Sequence, residues 1–214
     1  MKRILKKNER GSALFLILIG VALFAALSYV VGGMLRSGDT SALTGEKAKL
    51  HASEIMDYGR AVRQAVQELR INGCADTDIS FENPVESGYT NGSNTACQVF
   101  HSAGGGFNWV RPSDALNDGS AWLFTADNAL ADIGTSAADL IMILPELPSK
   151  ICDEINEMSG ITATGTDGAI DFTKFTGSYT ATQDIAFADG KAMGCLNHNS
   201  SGDHYFFYQV LIAR

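Results

Sequence analysis

The residues best equipped for chemistry are four cysteines, Cys74, Cys97, Cys152 and Cys195, and a short stretch where Cys195, His198 and His204 fall within ten residues. A thiolate and two imidazoles suit zinc, but such a site ordinarily needs a fourth ligand, and an even cysteine set without a C-x-x-C pair is better spent on disulfides. Pairing Cys74 with Cys97 and Cys152 with Cys195 would close two local regions without crossing, and the other two pairings stay open. Asp203-His204 has the makings of an acid–base pair, yet no G-x-S-x-G or other nucleophile context accompanies it, so a solvated turn is expected. Asp167, Asp184 and Asp189 stand near glycines but lack EF-hand spacing, which again points to turns rather than calcium. Asn91-Gly92-Ser93 and Asn199-Ser200-Ser201 fit a glycosylation sequon that is frequent by chance, and Gly104-Gly105-Gly106 lacks the lysine of a phosphate loop. No catalytic residue, metal ligand or cofactor is assigned from these patterns.

The charges point to the elements that carry these residues. The formal net charge is −8 over 214 residues, but residues 1–10 hold five bases (Lys2, Arg3, Lys6, Lys7, Arg10) against one acid, Glu9. The rest then holds 11 basic and 23 acidic residues, a net −12 that repels nucleic acid. After the basic leader, Ala13 to Val31 runs 19 residues without a charge. As a helix that stretch reaches ~28 Å, against a bilayer core of ~30 Å. Five bases before it and only Arg36 soon after keep the N-terminus cytoplasmic and send the acidic, cysteine-bearing remainder across. A cleaved secretory signal is the competing pattern, with Ala26-Leu27-Ser28 as the small-residue site, although the apolar run is longer than most such segments.

Beyond the membrane, Ser37-Gly38-Asp39 and Gly45 predict a bend or short break. Leu43, Leu50, Ile55, Tyr58, Val62, Val66 and Leu69 then recur at helical spacing, so residues 46–71 form an amphipathic helix that Asn72-Gly73 stops. From Cys74 to about Asp127 the chain is punctuated by turn residues, with Gln98-Val99-Phe100 and Phe107 to Val110 as short strands and Trp109 and Trp122 as core. Leu140 to Leu144 is an apolar run ending at Pro145. Lys150 to Met158 reads as a second helix, with Ser149 as N-cap and Ser159-Gly160 as its close. Ile170 to Phe172, Phe175 to Tyr179, Ile185 to Phe187, Ala192 to Leu196 and Tyr205 to Ala213 predict an antiparallel sheet. The last strand, apolar on both faces, belongs in its middle with the long helix over one side.

A basic leader ending in Gly11, a small Ser12, and Ala13-Leu14-Phe15-Leu16-Ile17-Leu18-Ile19 opening a long helix resembles the class III signal of type IV pilins and type II secretion pseudopilins. The resemblance covers roughly the first third of the chain. It implies cleavage between Gly11 and Ser12 by prepilin peptidase, methylation of the new amine, and a filament-core helix in which Leu14, Phe15, Leu16 and Ile17 pack. It also implies an α+β fold with a long N-terminal helix on a small antiparallel sheet. The segments are then a leader (1–11), a transmembrane or filament-core helix (12–36), an amphipathic helix (37–73) and a disulfide-bonded periplasmic domain (74–214). Leu16 departs from the family, whose major members carry a glutamate there to neutralise a neighbour's amine within an apolar core. A minor, tip or priming subunit of an inner-membrane filament system is therefore expected, with pilin or pseudopilin subunits, prepilin peptidase and membrane lipid as partners. An anchored periplasmic binding domain that never polymerises is the alternative, and an anchored hydrolase a more distant one.

Overall fold

The computed structural model describes residue 15 and residues 17–24, 40–168, 170–181, 183–188, 190–198 and 204–214. Gly11, Ser12, Leu14, Leu16, the break expected at Ser37-Gly38-Asp39, Asp189, Asn199 and Asp203 lie outside these residues. The chain divides into a first unit ending at Glu46 and a second from Lys47 to Arg214. In the first, Phe15 and residues 17–24 are helical. Among the described residues no helix is long and apolar enough to cross a membrane; the expected span, Ala13 to Val31, falls only partly within them.

Helix α1 spans Thr40–Ile71 and runs through Gly45, where an interruption was expected. In the second unit its inner face is buried at Ile55, Met56, Val62, Val66 and Leu69. Each such side chain contributes ~1.5–3 kcal/mol relative to leaving it in water. Its end follows from Gly73, whose φ of 96° no branched residue adopts easily. Gly73 N donates to Arg70 O and Cys74 N to Leu69 O, which satisfies two carbonyls left open by the last turn. Helix α2 (Ser149–Ser159) closes in the same way, with Gly160 in the left-handed region and Ile161 N donating to Asn156 O. Its start differs from expectation. Pro148, not Ser149, is the N-cap, and no side chain caps the first turn.

Five strands form one sheet in the order β3-β1-β2-β5-β4: β1 (Leu123–Leu130), β2 (Asp139–Leu147), β3 (Gln183–Ile185), β4 (Met193–Asn197) and β5 (Tyr205–Ile212). The fold is α+β, but the sheet is mixed rather than antiparallel, because β3 runs parallel to β1 along Asn128–Leu130. Direction at that edge is set by the long return of the chain after α2, which no local pattern records. Strand β5 is interior, flanked by β2 and β4. Gln98-Val99-Phe100 contributes a single bridge, Gln98 to Ser80, and Phe107 to Val110 no strand. Ile170 to Phe172 and Phe175 to Tyr179 are loops attached by individual bonds, such as Phe175 N to Phe124 O and Asn128 Oδ1 from Asp171 N. Strand β1 begins where irregular chain was expected; it is buried on both faces and bulges beside Asp127, so no alternation marks it.

Alternation along the strands gives the sheet two apolar faces. Leu140, Met142, Leu144, Phe207 and Leu211 pack with α1 and α2, while Ile141, Ile143, Phe206, Tyr208 and Val210 meet Ile170, Ile185 and Ala188. On the helix side Tyr58 stacks on Trp122 at 4.7 Å, and Phe81 on Phe124 at 4.0 Å. Gly59 brings α1 closest to the sheet: a Cβ there would stand 3.0 Å from Phe207 Cζ.

Two disulfides hold the periphery, Cys74–Cys97 and Cys152–Cys195. Their sequence separations of 23 and 43 residues correspond to roughly 3–4 kcal/mol each through restriction of the unfolded chain. The second ties α2 to edge strand β4. One turn along α2, Asn156 accepts from Cys195 N and donates to Cys195 O, so the exposed edge of β4 is paired at that point by a side chain.

Two measurements check this packing. Gly59→Val should lower stability by about 2–3 kcal/mol in urea titrations, since the branched side chain meets a buried ring. Phe207→Leu in the same chain should recover part of that loss, giving a non-additive double-mutant cycle. The second concerns pH. Burial pushes the Tyr58 phenol up to about 12 and raises Tyr89 and Tyr179 as well. Because the folded state holds these protons more tightly, the stability they contribute is complete below the ordinary phenol value near 10 and is lost as pH climbs through 12. Stability should therefore hold to about pH 10 and then fall steeply, with phenolate absorbance appearing together with unfolding; Tyr58→Phe should flatten the fall.

Candidate functional site

The ends of three neighbouring strands converge on a cleft of about 430 Å³. Leu123 opens β1 just after Trp122, Pro145 and Glu146 lie near the end of β2, Tyr205 and Phe206 begin β5, and Phe172, Lys174, Glu86 and His198 help complete the wall. It lies there because β1, β2 and β5 are consecutive and antiparallel, so the start of β1, the end of β2 and the start of β5 share one end of the sheet. Leu123, Phe172 and Phe206 belong to the apolar face away from α1.

Pro145 cannot donate to the ladder, and β2 carries one residue more than β5 between Leu144 and Leu147. The extra residue places Glu146 at a φ of 58°, a conformation that costs a non-glycine residue roughly 1–2 kcal/mol. The bulge turns the Glu146 carboxylate to His204, whose Nδ1 stands 2.7 Å from Glu146 Oε2. At the other rim Glu86 lies 3.5 Å from both Arg111 and Lys174, and the Lys174 ammonium also donates to Ser87 O and sits 5.3 Å over the Tyr89 ring. Phe172 meets His198 edge-on at 5.1 Å, and His198 Nδ1 is buried without a hydrogen-bond partner among the described residues. The result is an apolar, aromatic floor between two charged rims. Such a cleft suits a molecule with an apolar body and polar ends. A histidine held by a carboxylate can also orient a proton.

The structure brings together some of the residues that the sequence singles out and separates others. His198 and His204 line the same cleft, while Cys195 is tied to Cys152. No group of three or more His, Cys, Asp or Glu able to hold a metal occurs among the described residues. Asp167 is buried and structural: Asp167 Oδ2 accepts from Ala186 N. Asp184 lies on β3. The Asn91 amide donates to Thr77 O and Ile79 O, bonds that a glycan on that nitrogen would break. Gly104 and Gly105 fold against the backbone of Gln98 and Val99. Trp122 is core, with Nε1 donating to Val110 O. Phe15 and Ile17 are helical and exposed. Glu146, Glu86, Lys174 and Phe172 were not found from the sequence. Pro145 breaking an apolar strand was the available signal for Glu146; the others meet only through the fold.

No family model, curated protein or solved structure matches the chain.

If the bulge strains Glu146, Glu146→Gly should be more stable than Glu146→Ala by about 1 kcal/mol, because both lose the exposed His204 pair and only glycine relieves the backbone. The measurement is a pair of urea midpoints; an alanine variant equal to or better than the glycine variant would remove the strain argument.

Proposed function

We propose that the chain is a minor pilin or pseudopilin, a tip or priming subunit of a type IV pilus or type II secretion-like filament, anchored in a bacterial inner membrane with its acidic domain in the periplasm. The observation that carries this reading is the division of labour between the two helical regions. Phe15, Ile17, Leu18, Val21, Leu23 and Phe24 leave their apolar side chains exposed, as a segment meant for lipid or for neighbouring helices would. Helix α1, by contrast, packs one face on a largely antiparallel sheet from Lys47 onward. An exposed apolar helical segment early in the chain and a helix packed on a sheet later in it are both parts of the pilin-like plan.

Further support comes from the leader, its Gly11-Ser12 junction and the two disulfides of an oxidising compartment. Processing by prepilin peptidase would free Ser12, and Leu16, lacking the family's carboxylate, would leave a preceding subunit's amine unpaired. That favours a position at the tip or in priming over one within the shaft. The cleft supports a second reading, an anchored domain that recognises an amphipathic molecule without polymerising.

The intact mass and first residue of protein purified from native membranes test the proposal, with a strain lacking prepilin peptidase alongside. A peptidase-dependent N-terminus at Ser12, abolished by Gly11→Asp, is the expected result. Retention of Met1 in both strains would favour the anchored binding domain, and a start near Met34 would make it secreted and exclude a filament role.

A further inference from the structure

The four cysteines differ in how easily solvent reaches them. Cys152 and Cys195 are both 0% exposed, and Cys97 is 4% exposed. Cys74 alone is partly exposed, and around the bond Gly73, Ala75, Thr95 and Ala96 are exposed as well. A thiolate arriving from water therefore meets Cys74 before any other cysteine, and access of this kind governs thiol–disulfide exchange.

The two sulfurs of that bond also have unequal surroundings. Asn94 Nδ2 donates to Cys97 Sγ at 3.3 Å, and the amide orientation is fixed because Asn94 Oδ1 accepts from Ala96 N. Cys74 Sγ stands 3.7 Å from Ala96 O. An amide N–H stabilises a thiolate, whereas a carbonyl oxygen repels a thiolate and accepts from a thiol S–H. The surroundings thus favour Cys97 as thiolate and Cys74 as thiol, which is a description of the reduced pair. Bonds that involve neither sulfur hold the two segments together: Cys74 N donates to Leu69 O, Arg70 pairs with Asp76 at 2.8 Å, Ser80 N donates to Cys97 O and Val99 N to Ser80 O. Opening the link leaves these in place, so the sulfurs stay within reach of each other.

We propose that Cys74–Cys97 is a reversible exchange site for a dithiol, with Cys74 as the attacked sulfur and Cys97 as the leaving group, and that Cys152–Cys195 takes no part. The dithiol's thiolate bonds to Cys74 Sγ, the Cys74–Cys97 bond breaks, and its electron pair leaves on Cys97 Sγ beside Asn94 Nδ2. The partner's second thiol then loses its proton and attacks the partner's sulfur in the mixed disulfide. Cys74 leaves, takes up that proton and donates it to Ala96 O. Two electrons have passed to this chain and the dithiol has become a disulfide. This inference is independent of the filament reading.

The test treats the full oxidised chain in detergent at neutral pH with limiting dithiothreitol, alkylates the freed thiols and maps them by peptide mass. Cys74–Cys97 should open at least about tenfold faster than Cys152–Cys195, with circular dichroism still native. Glutathione has no second thiol, so its adduct should rest on Cys74 and the alkyl group on Cys97. Asn94→Asp keeps the oxygen that accepts from Ala96 N and removes the N–H on sulfur; Tm of the oxidised chain should stay nearly unchanged while reduction slows several-fold. A glutathione adduct on Cys97, opening of both disulfides at one rate, or an Asn94→Asp chain reduced as fast as the unaltered one would overturn the proposal.

Discussion

The soluble part of this molecule depends on the contact between helix α1 and the middle of the sheet. A helix lying on a sheet must interleave its side chains with those of the strands, and here a glycine at position 59 lets the ring of Phe207 approach as closely as a helix backbone allows. The gain is dispersion and exclusion of water along the face from Ile55 to Leu69, which offsets the helix-propensity cost of a glycine, about 1 kcal/mol. Tyr58, next to it, carries the contact sideways through Trp122 to Val110, so that loop chain with no regular structure is also ordered against the helix.

The two disulfides tie down chain that lies beside this seam. Cys74 stands just past the end of α1 and fixes the loops that follow it, and Cys152 fixes the short helix α2 against the edge of the sheet. In both places the hydrogen bonds around the link are already satisfied, by the closing bonds at Gly73 and by the Asn156 amide on Cys195. Covalent and polar constraints thus reinforce one arrangement rather than compensating for a poorly packed one.

With the core arranged in this way, the chemistry gathers at boundaries. The cleft occupies the end of the sheet where a bulge at Pro145 interrupts regular pairing and the backbone at Glu146 adopts a costly conformation. It is a place where the fold gives up a local preference, and such places are where binding functions tend to reside.

Some of this was legible in the sequence because it is written in local periodicity or composition. The apolar stripe from Ile55 to Leu69 specifies an amphipathic helix, Gly73 and Gly160 specify its end and that of α2, the unbroken run from Tyr205 to Ile212 specifies a strand buried on both sides, and an even cysteine set specifies disulfides. The resemblance at the leader likewise rests on residues adjacent in the chain. Tertiary structure alone decided the parallel edge strand β3, the strand β1 with its bulge, and the cleft. Glu86, Glu146, Phe172 and His204 are far apart in sequence, and no pattern within a window of the chain records such distances. The physical reason is that periodicity encodes which face of an element is apolar, whereas direction, register and the meeting of side chains are set by which faces bury one another.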